Sequence, residues 1–253
     1  MYAVERRQQI VDVARRDGRV TVIDLASHLN VALETVRRDL ADLETQGLVT
    51  RVHGGALPAD RIGFEGDVSS RRARNPEDKA RIAQRALGEI QDAETIYIDE
   101  GSTTAMLAKA LDPDRQLTIV TASVPVVLTV NDHPRITVLL LGGVVRRRSI
   151  ATSGELPSRM LSEMVIDVTF LGTNGITLRH GLTCPDLGVA AVKRAAIAGA
   201  RRSVLLTDST KFGLDSFAAF AKVTDVDTVI TGTGAPRRAV ESLRQQHVQV
   251  ILA

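Results

Sequence analysis

The sequence predicts two domains of different fold class: a small N-terminal helical domain that ends in a β-hairpin, and a larger C-terminal α/β domain with a mostly parallel sheet. Apolar residues recur at helical spacing through residues 1–47 and then alternate into a double glycine. From Thr95 onward, short apolar runs of strand length alternate with helical stretches, which is typical of a parallel sheet covered on both faces. The stretch between these regions has no apolar period. We therefore predict domains at 1–57 and 76–253, joined by a linker at 58–75.

The composition is that of an ordinary soluble protein. Of the 253 residues, 44% are hydrophobic and 25% are charged. The net charge is +2, and residues 1–57 carry eight basic and eight acidic side chains, so a DNA-binding surface must arise from how charges are sorted between faces. The single cysteine cannot form an internal disulfide, which fits a cytoplasmic protein. The longest apolar run, Ile136–Val145, has ten residues and is too short to cross a bilayer. We therefore expect a cytoplasmic location and no membrane partner.

Three helices are predicted in the N-terminal domain. The first ends before Gly18, since glycine tolerates the backbone conformation of a helix stop. The second begins at Val22, because Thr21 and Asp24 resemble a capping box. The third ends at Gly47 and is expected to turn inward Val36, Leu40 and Leu43, with Leu33 as a further candidate.

The second and third helices are joined by a tight turn at Asn30-Val31, the spacing of a helix-turn-helix, whose second helix lies in the major groove of DNA. Residues 48–55 then alternate like a strand into two glycines, which predicts a β-hairpin wing. A solvated arginine face paired with Asp39 and Asp42 is the alternative; three helices, a turn and a wing in one register favour DNA binding. The predicted DNA-binding residues are Thr35, Arg37, Arg38, Arg51, His53 and Gly54.

A set of motifs runs through residues 5–57. They are Glu5-Arg6 with Ile10, Leu25-Ala26 with Val31, Thr35 to Leu40, Leu43 with Gly47, and Arg51 to Ala56. Together they resemble the N-terminal domain of DeoR-family bacterial transcriptional repressors. Ala32 departs from the usual serine of the family and lacks an N-cap worth roughly 1 kcal/mol. The resemblance implies a winged helix-turn-helix that binds double-stranded operator DNA as a homodimer or higher homo-oligomer.

The C-terminal domain is predicted to open with a helix at Asn75-Pro76 that runs to about Ile90. Asparagine would cap it, and proline suits the first helical position. The apolar runs predicted as strands are Thr95–Asp99, Leu117–Thr121, Ile136–Leu141, Val165–Leu171, Ser203–Thr207, Thr228–Thr231 and Val248–Leu252. Helices are predicted between most of them, for example at Thr103–Leu111, Pro185–Gly199 and Pro236–Gln246.

A ligand site is predicted where these strands end, because ligands of such sheets bind beyond the carboxyl ends of the strands. After the first strand, a glycine and three hydroxyls stand at the start of a helix, which suits a phosphate group. A Ser/Thr helix cap without a ligand, tight-turn glycines and a surface lysine are the alternatives. Lys211 would supply a cation, and Asp99 or Asp208 would accept sugar hydroxyls. The candidates are Asp99, Gly101, Ser102, Thr103, Thr104, Ser123, Gly142, Gly143, Arg146, Thr173, Asn174, Asp208 and Lys211.

Motifs of this half match the same family. They are Asp99–Thr104, Val120–Ser123, Leu141–Arg146, Phe170–Gly175, Gly181–Asp186, Val189–Lys193 and Asp208–Gly213. They resemble DeoR-family sensor domains, which implies a fold similar to sugar-phosphate isomerases and a phosphorylated sugar as effector. The resemblance adds Lys193 to the expected effector-binding residues. Ala122 and Val189 replace the usual asparagine and glutamate. The stretch Gly172–Thr177 with His180–Leu182 is most similar to members that govern sugar uptake and fructose metabolism.

The expected function is that of a DNA-binding transcriptional repressor of sugar-metabolism genes, controlled by a phosphorylated sugar, with fructose 1-phosphate as first candidate. The alternative is a sugar-phosphate isomerase or deaminase with an accessory N-terminal domain. It is disfavoured because the expected crevice offers no histidine base, although Asp99 and Asp208 remain possible bases. The five histidines lack metal-ligand spacing, and we expect neither a metal nor a cofactor. Cys184 is interpreted as a turn residue.

Overall fold

The chain folds as two compact units, residues 1–66 and 67–253. The structure, a computed structural model, describes residues 2–17, 20–52, 54–58, 71 and 74–253. Most of the predicted linker lies outside the described residues.

The N-terminal unit is a winged helix-turn-helix, which confirms the predicted fold class. Its helices are α1 (Ala3–Asp17), α2 (Val22–Leu29) and α3 (Leu33–Thr45), and its strands are β1 (Val20–Thr21), β2 (Val49–Val52) and β3 (Gly55–Pro58). The strands form an antiparallel sheet in the order β1-β3-β2. One apolar core joins the three helices and the sheet, and it includes Ile10, Leu25, Val36, Leu40 and Val49.

The second helix begins at Val22, as predicted, and ends before the predicted turn at Asn30-Val31. The Thr21 hydroxyl accepts a hydrogen bond from the amide of Asp24 at 3.1 Å, and Asn30 ends the helix in the left-handed conformation with φ of 51°. At the third helix, Ala32 supplies no side-chain cap. The prediction that Leu33 points inward is wrong: it is 43% exposed. It shares the face of Val36 and Leu40 but is the first residue of α3, at the end of the helix.

The C-terminal unit is built on a seven-stranded sheet in which every neighbouring pair is parallel. Its strands are β4 (Thr95–Ile98), β5 (Leu117–Thr121), β6 (Ile136–Leu140), β9 (Ile166–Leu171), β12 (Ala200–Thr207), β14 (Thr228–Thr231) and β15 (Gln249–Leu252). Each of the seven predicted runs is one of these strands. The helices are α4 (Pro76–Ala86), α5 (Ser102–Ala110), α6 (Val124–Val130), α7 (Glu155–Ser162), α8 (Leu187–Ala198) and α9 (Arg237–Gln245). The predicted mostly parallel α/β class is confirmed.

The order of the strands, β15-β14-β12-β9-β4-β5-β6, creates a switch point between β9 and β4. From β4 the chain moves outward through β5 to β6, and from β9 it moves in the opposite direction through β12 and β14 to β15. The loops that follow β4 and β9 therefore diverge and leave a crevice at the carboxyl ends of the strands, where ligands of open parallel sheets bind.

Smaller strands accompany this sheet and were not predicted. A hairpin pairs β7 (Val144–Arg146) with β8 (Ala151–Ser153), and a second antiparallel sheet contains β10 (Gly175–Thr177), β11 (Gly181–Cys184) and β13 (Ala218–Ala221). These strands have three or four residues, too few to show a period. Cys184, interpreted as a turn residue, is the buried last residue of β11.

The helix α4 begins at Pro76 as predicted, but the expected asparagine cap is wrong. Asn75 adopts the left-handed conformation, with φ of 48°, and no cap hydrogen bond of its side chain is among the described contacts. A capping residue normally has an extended backbone, which brings its side chain over the first free amides. In the left-handed conformation the Asn75 side chain is directed elsewhere.

Candidate functional site

The third helix of the N-terminal unit presents arginines to solvent on the side away from its core residues. Arg37 and Arg38 are exposed, whereas Val36 and Leu40 are buried. Arg37 forms an exposed ion pair with Glu34 in the next turn, at 3.2 Å, an interaction that a phosphate could replace at little cost. Thr35 is half-buried beside them.

Asp39 does not neutralise this arginine face, as the alternative interpretation required. Its carboxylate is 2% exposed and accepts hydrogen bonds from Arg6 at 2.6 Å and from Arg7 at 3.0 Å, both on α1. Asp42 also pairs with Arg7. Burial would raise the pKa of Asp39, but the hydrogen bonds and charges of the two arginines hold it below its ordinary value. Asp39 and Asp42 thus fasten α1 to α3, and Arg38 remains exposed.

The wing has the glycine geometry that a tight hairpin needs. Gly54 lies between β2 and β3 with φ of 76°, a conformation that favours glycine. A side chain at Gly55 would meet the carbonyl oxygen of Val20 at 1.9 Å, so only glycine lets β3 approach β1. Arg51 is exposed on β2. His53 lies outside the described residues.

In the C-terminal unit, a polar cavity occupies the switch point of the sheet. It encloses about 650 Å³, counting its open mouth. Loops after β4, β9 and β12 form most of its wall, and α4 and α8 complete it. The lining residues are Arg71, Arg74, Lys79, Glu100, Gly101, Ser102, Thr103, Thr104, Gly172, Thr173, Asn174, Lys193, Leu206, Thr207, Asp208, Thr210 and Lys211.

The start of α5 forms one wall of this cavity. Its N-cap is Gly101, with φ of 145°, which has no side chain to accept hydrogen bonds from the first amides of the helix. Ser102, Thr103 and Thr104 follow, and the Thr104 hydroxyl donates to the Gly101 carbonyl at 3.2 Å. Free amides at a helix start carry partial positive charge and bind anions. This wall is therefore suited to a phosphoryl group.

A buried ion pair fixes the two loops that flank the switch point. Lys193 on α8 contacts the carboxylate of Asp99, and the two side chains are 3% and 1% exposed. The same carboxylate accepts a hydrogen bond from the Gly172 amide at 2.9 Å, and Lys193 donates to the Gly172 carbonyl at 3.0 Å. Burial would lower the pKa of Lys193, but Asp99 and Glu100 raise it above its ordinary value. Lys193 thus lines the cavity as a cation and holds the β4 and β9 loops together, while Asp99 lies beneath the lining.

Positive charge predominates around the cavity. Five cationic side chains line it against two carboxylates, and Asp99 beneath balances Lys193. Of these five cations, Lys193 and Lys211 are predicted from the sequence, whereas Arg71, Arg74 and Lys79 are not. Arg71 and Arg74 fall in the predicted linker, and Lys79 occupies an ordinary position of an amphipathic helix. Their proximity to the β12 loop arises only from packing.

Two predicted residues of the cavity wall, Thr173 and Asp208, have structural hydrogen bonds of their own. The Thr173 hydroxyl donates to the carbonyls of Gly175 at 2.7 Å and Thr183 at 3.0 Å, which stabilises the β9–β10 loop. Asp208 caps a short 3-10 turn by accepting from the amide of Thr210 at 3.0 Å. Asn174 and Lys211 are partly exposed members of the lining. Both aspartates considered as general bases therefore already have partners. Asp208 accepts from the Thr210 amide, and Asp99 forms an ion pair with Lys193.

Four predicted effector residues lie away from the cavity lining. Ser123 is buried and caps α6, accepting from the amide of Val126 at 3.4 Å, and Gly142 and Gly143 precede β7. They follow β5 and β6, which lie on the outer side of β4, roughly 5 and 10 Å from it at the usual strand spacing. Arg146 approaches the cavity wall, 3.9 Å from Glu100, and also pairs with Asp186 at 3.4 Å.

The remaining reactive groups do not point to covalent or metal chemistry. Burial raises the pKa of the Cys184 thiol to about 11, partly offset by Lys193, so the thiol stays protonated and unreactive. Among the described residues, no cluster of histidine, cysteine or carboxylate side chains could hold a metal ion. Within the same part of the chain, no helix is both long and apolar enough to cross a membrane.

Comparison with protein families matches both units. Residues 6–61 match the DeoR-like helix-turn-helix domain, and residues 74–233 match the DeoR C terminal sensor domain.

Individual relatives align along the whole chain. The HTH-type transcriptional regulator GlpR of Haloferax volcanii is 34% identical over 252 residues, which cover 99% of this chain and 98% of that protein. The glycerol-3-phosphate regulon repressor of Escherichia coli (strain K12) is 31% identical over 253 residues, 100% of each chain. Among solved structures, ribose 5-phosphate isomerase A of Methanocaldococcus jannaschii is similar with a TM-score of 0.40 and 18% identity over 55% of each chain. At that TM-score the similarity has no bearing on function.

Proposed function

We propose, from the premise that this chain belongs to the DeoR family of transcriptional regulators, that its C-terminal cavity binds a phosphorylated sugar and thereby controls DNA binding. Regulators of this family are not enzymes, so the prediction against an enzymatic role is confirmed. The DNA-binding element is the winged helix-turn-helix, with α3 as the helix that enters the major groove.

One observation carries the proposal: the start of α5 and an excess of cationic side chains meet at the switch point of the sheet. The amides that follow Gly101 would bind the phosphoryl oxygens. Lys211 and the other cations would balance its charge of about −1.5 to −2 at pH 7. Hydroxyl-bearing residues and Asn174 belong to the same lining and would bind the sugar end of the molecule.

Control of DNA binding would follow from differential affinity. An effector that binds more tightly to the form that does not bind DNA shifts the population towards that form. We propose release from the operator as the direction, in agreement with the repressors that the family includes. A homodimer would place two α3 helices in successive major grooves, and neither a cofactor nor a metal takes part. The site of action is the cytoplasm.

A thermal-shift screen of the full chain tests the proposal. The compounds are fructose 1-phosphate first, then fructose 1,6-bisphosphate, glucose 6-phosphate and glycerol 3-phosphate, the last because a relative is named for its regulon. A ligand at about 100 times its Kd stabilises the folded state by about 2.7 kcal/mol and raises Tm. Fructose without phosphate and inorganic phosphate are the controls. If no sugar phosphate raises Tm above these controls, the proposed effector class is wrong.

A further inference from the structure

A lysine of the cavity holds the chain segment that precedes the sensor domain. Lys79 lies in the first turn of α4 and is 4% exposed. Its ammonium donates to the backbone carbonyls of Arg71 and Arg74, both at 2.6 Å. In the sequence, this segment lies between the DNA-binding domain and α4. A side chain of the effector cavity is thus bonded directly to the backbone that leads to the DNA-binding domain.

The same three residues line the cavity. Lys79, Arg71 and Arg74 belong to its wall together with Lys211 and Asp208. Burial lowers the pKa of Lys79 to about 8; Asp208 opposes this, while Lys211, Arg74 and Arg71 add to it. The ammonium is therefore surrounded mainly by other cations, and an anion placed among them would stabilise it.

The Lys79 ammonium has enough hydrogen-bond donors to contact both the Arg71 and Arg74 carbonyls and a ligand in the cavity. A lysine ammonium has three donors, and two of them are used by the carbonyls of Arg71 and Arg74. A phosphoryl oxygen is a stronger, charged acceptor than a carbonyl. It would draw the ammonium towards the cavity and change its bonds to the two carbonyls.

We propose that Lys79 is the positioning residue through which a bound phosphoryl group acts on the segment containing Arg71 and Arg74, and so on DNA binding. The inference rests on the proposed function, since it requires a phosphorylated ligand in this cavity. It assigns the coupling to one ammonium group that contacts both the cavity and the segment. Other cations of the cavity contribute to ligand affinity.

The central experiment compares Lys79→Met with Lys211→Met in the full chain. The DNA is a duplex that the wild-type protein selects from a random pool, and the effector is the sugar phosphate that gives the largest rise in Tm in the screen. The measured quantity is the ratio of DNA Kd values with saturating effector and without it, with saturation defined by the plateau of Tm. Effector coupling typically changes affinity 5- to 150-fold, about 1 to 3 kcal/mol.

In Lys79→Met this ratio should fall to within about twofold of one, because methionine bonds neither carbonyl with or without effector. Lys211→Met is the matched control: Lys211 is a cation of the same wall, and the hydrogen bonds described for it are made by its backbone amide and carbonyl. It should need more effector for saturation but keep the full ratio once saturated. A wild-type ratio in saturated Lys79→Met would overturn the inference.

A measurement on the wild-type protein serves if Lys79→Met does not fold. Trypsin cleaves after the arginines at positions 71–74, at a rate that follows the local opening of the backbone. Saturating effector should change that rate by at least about threefold and leave cleavage after Arg237 and Arg238 unaltered. An unchanged rate at 71–74, with Tm raised by the same effector, would contradict the coupling but not the effector site. Absence of any rise in Tm would instead contradict the proposed function itself.

Discussion

The two functional regions of this chain are assembled in opposite ways. The residues predicted to bind DNA lie on one continuous stretch, from Thr35 on α3 to Gly54 in the wing. The cavity proposed to bind the effector draws on separate segments between Arg71 and Lys211, brought together by the order of the strands. A surface built from neighbouring residues depends on local geometry, whereas the cavity depends on the fold of the entire sheet.

The two units also differ in where their charged side chains lie. In the N-terminal unit, Asp39 neutralises arginines of α1, and the arginines of α3 face solvent. In the C-terminal unit, cations converge on the cavity, and Asp99 pairs with one of them in the interior. The comparison predicts that a change in the buried pairs affects folding most, and that a change in the exposed arginines affects DNA binding alone.

The largest effect is expected for Lys193→Ala. It leaves the buried Asp99 carboxylate without its ammonium partner, and breaking a buried ion pair from one side typically costs about 3–5 kcal/mol. The free energy of unfolding of the C-terminal unit, from urea denaturation, is the measurement. The double variant Asp99→Asn with Lys193→Met should recover part of the loss. If the free energy of unfolding of Lys193→Ala fell by less than about 1 kcal/mol, the ion pair would not be what holds the β4 and β9 loops together.

A smaller loss of about 2–3 kcal/mol is expected for Asp39→Asn, because its arginine partners remain partly exposed. The lowered pKa of Asp39 gives the sign of the pH dependence: its contribution is present above the ordinary value of 3.8 and is lost as pH falls through the lower folded pKa. Urea midpoints of the wild type and of Asp39→Asn, compared between neutral and acid pH, should converge. Parallel profiles would show that Asp39 does not act through its charge.

Next in size is the pH dependence of effector binding. Lys79 has a pKa of about 8, so its charge is lost above that pH, and a bound phosphoryl group would raise the pKa. Effector affinity should be nearly constant between about pH 7 and pH 8, above the second pKa of the phosphoryl group at about 6, and then fall by as much as about tenfold per pH unit. Isothermal titration should also detect proton uptake at pH 8–9. In Lys79→Arg the decline should vanish, because arginine stays charged; a persistent decline would assign the titration to another group.

The smallest effect is expected for Arg38→Ala, which should weaken binding to the selected duplex by at least about 1 kcal/mol without altering Tm. The companion variant Arg37→Ala should lower affinity for all sequences alike and reduce the slope of log K against log salt by about 1. Electrophoretic mobility shifts at several salt concentrations distinguish the two. Unchanged affinity of Arg38→Ala would show that α3 does not read DNA through this residue.

Local patterns determined most of the secondary structure and the DNA-binding element. Thr21 and Asp24 placed the start of α2, the apolar runs placed the seven strands of the parallel sheet, and Gly101 to Thr104 placed the start of α5. These succeed because a helix cap, a glycine turn and an apolar period depend on residues a few positions apart. The same reasoning wrongly predicted that the Asn75 side chain caps α4, because the left-handed backbone of Asn75 directs that side chain elsewhere.

Only the tertiary structure decided which strand ends meet. By sequence alone, Ser123 and Gly142 were as good candidates as Thr173, since all follow predicted strands. The sheet order places the β4 and β9 loops side by side and separates those after β5 and β6 by one and two strands. It also brings Lys79 from α4 against Asp208 from the β12 loop, more than a hundred residues away. Contacts between distant segments depend on how the whole chain buries its apolar faces, and no local pattern records that.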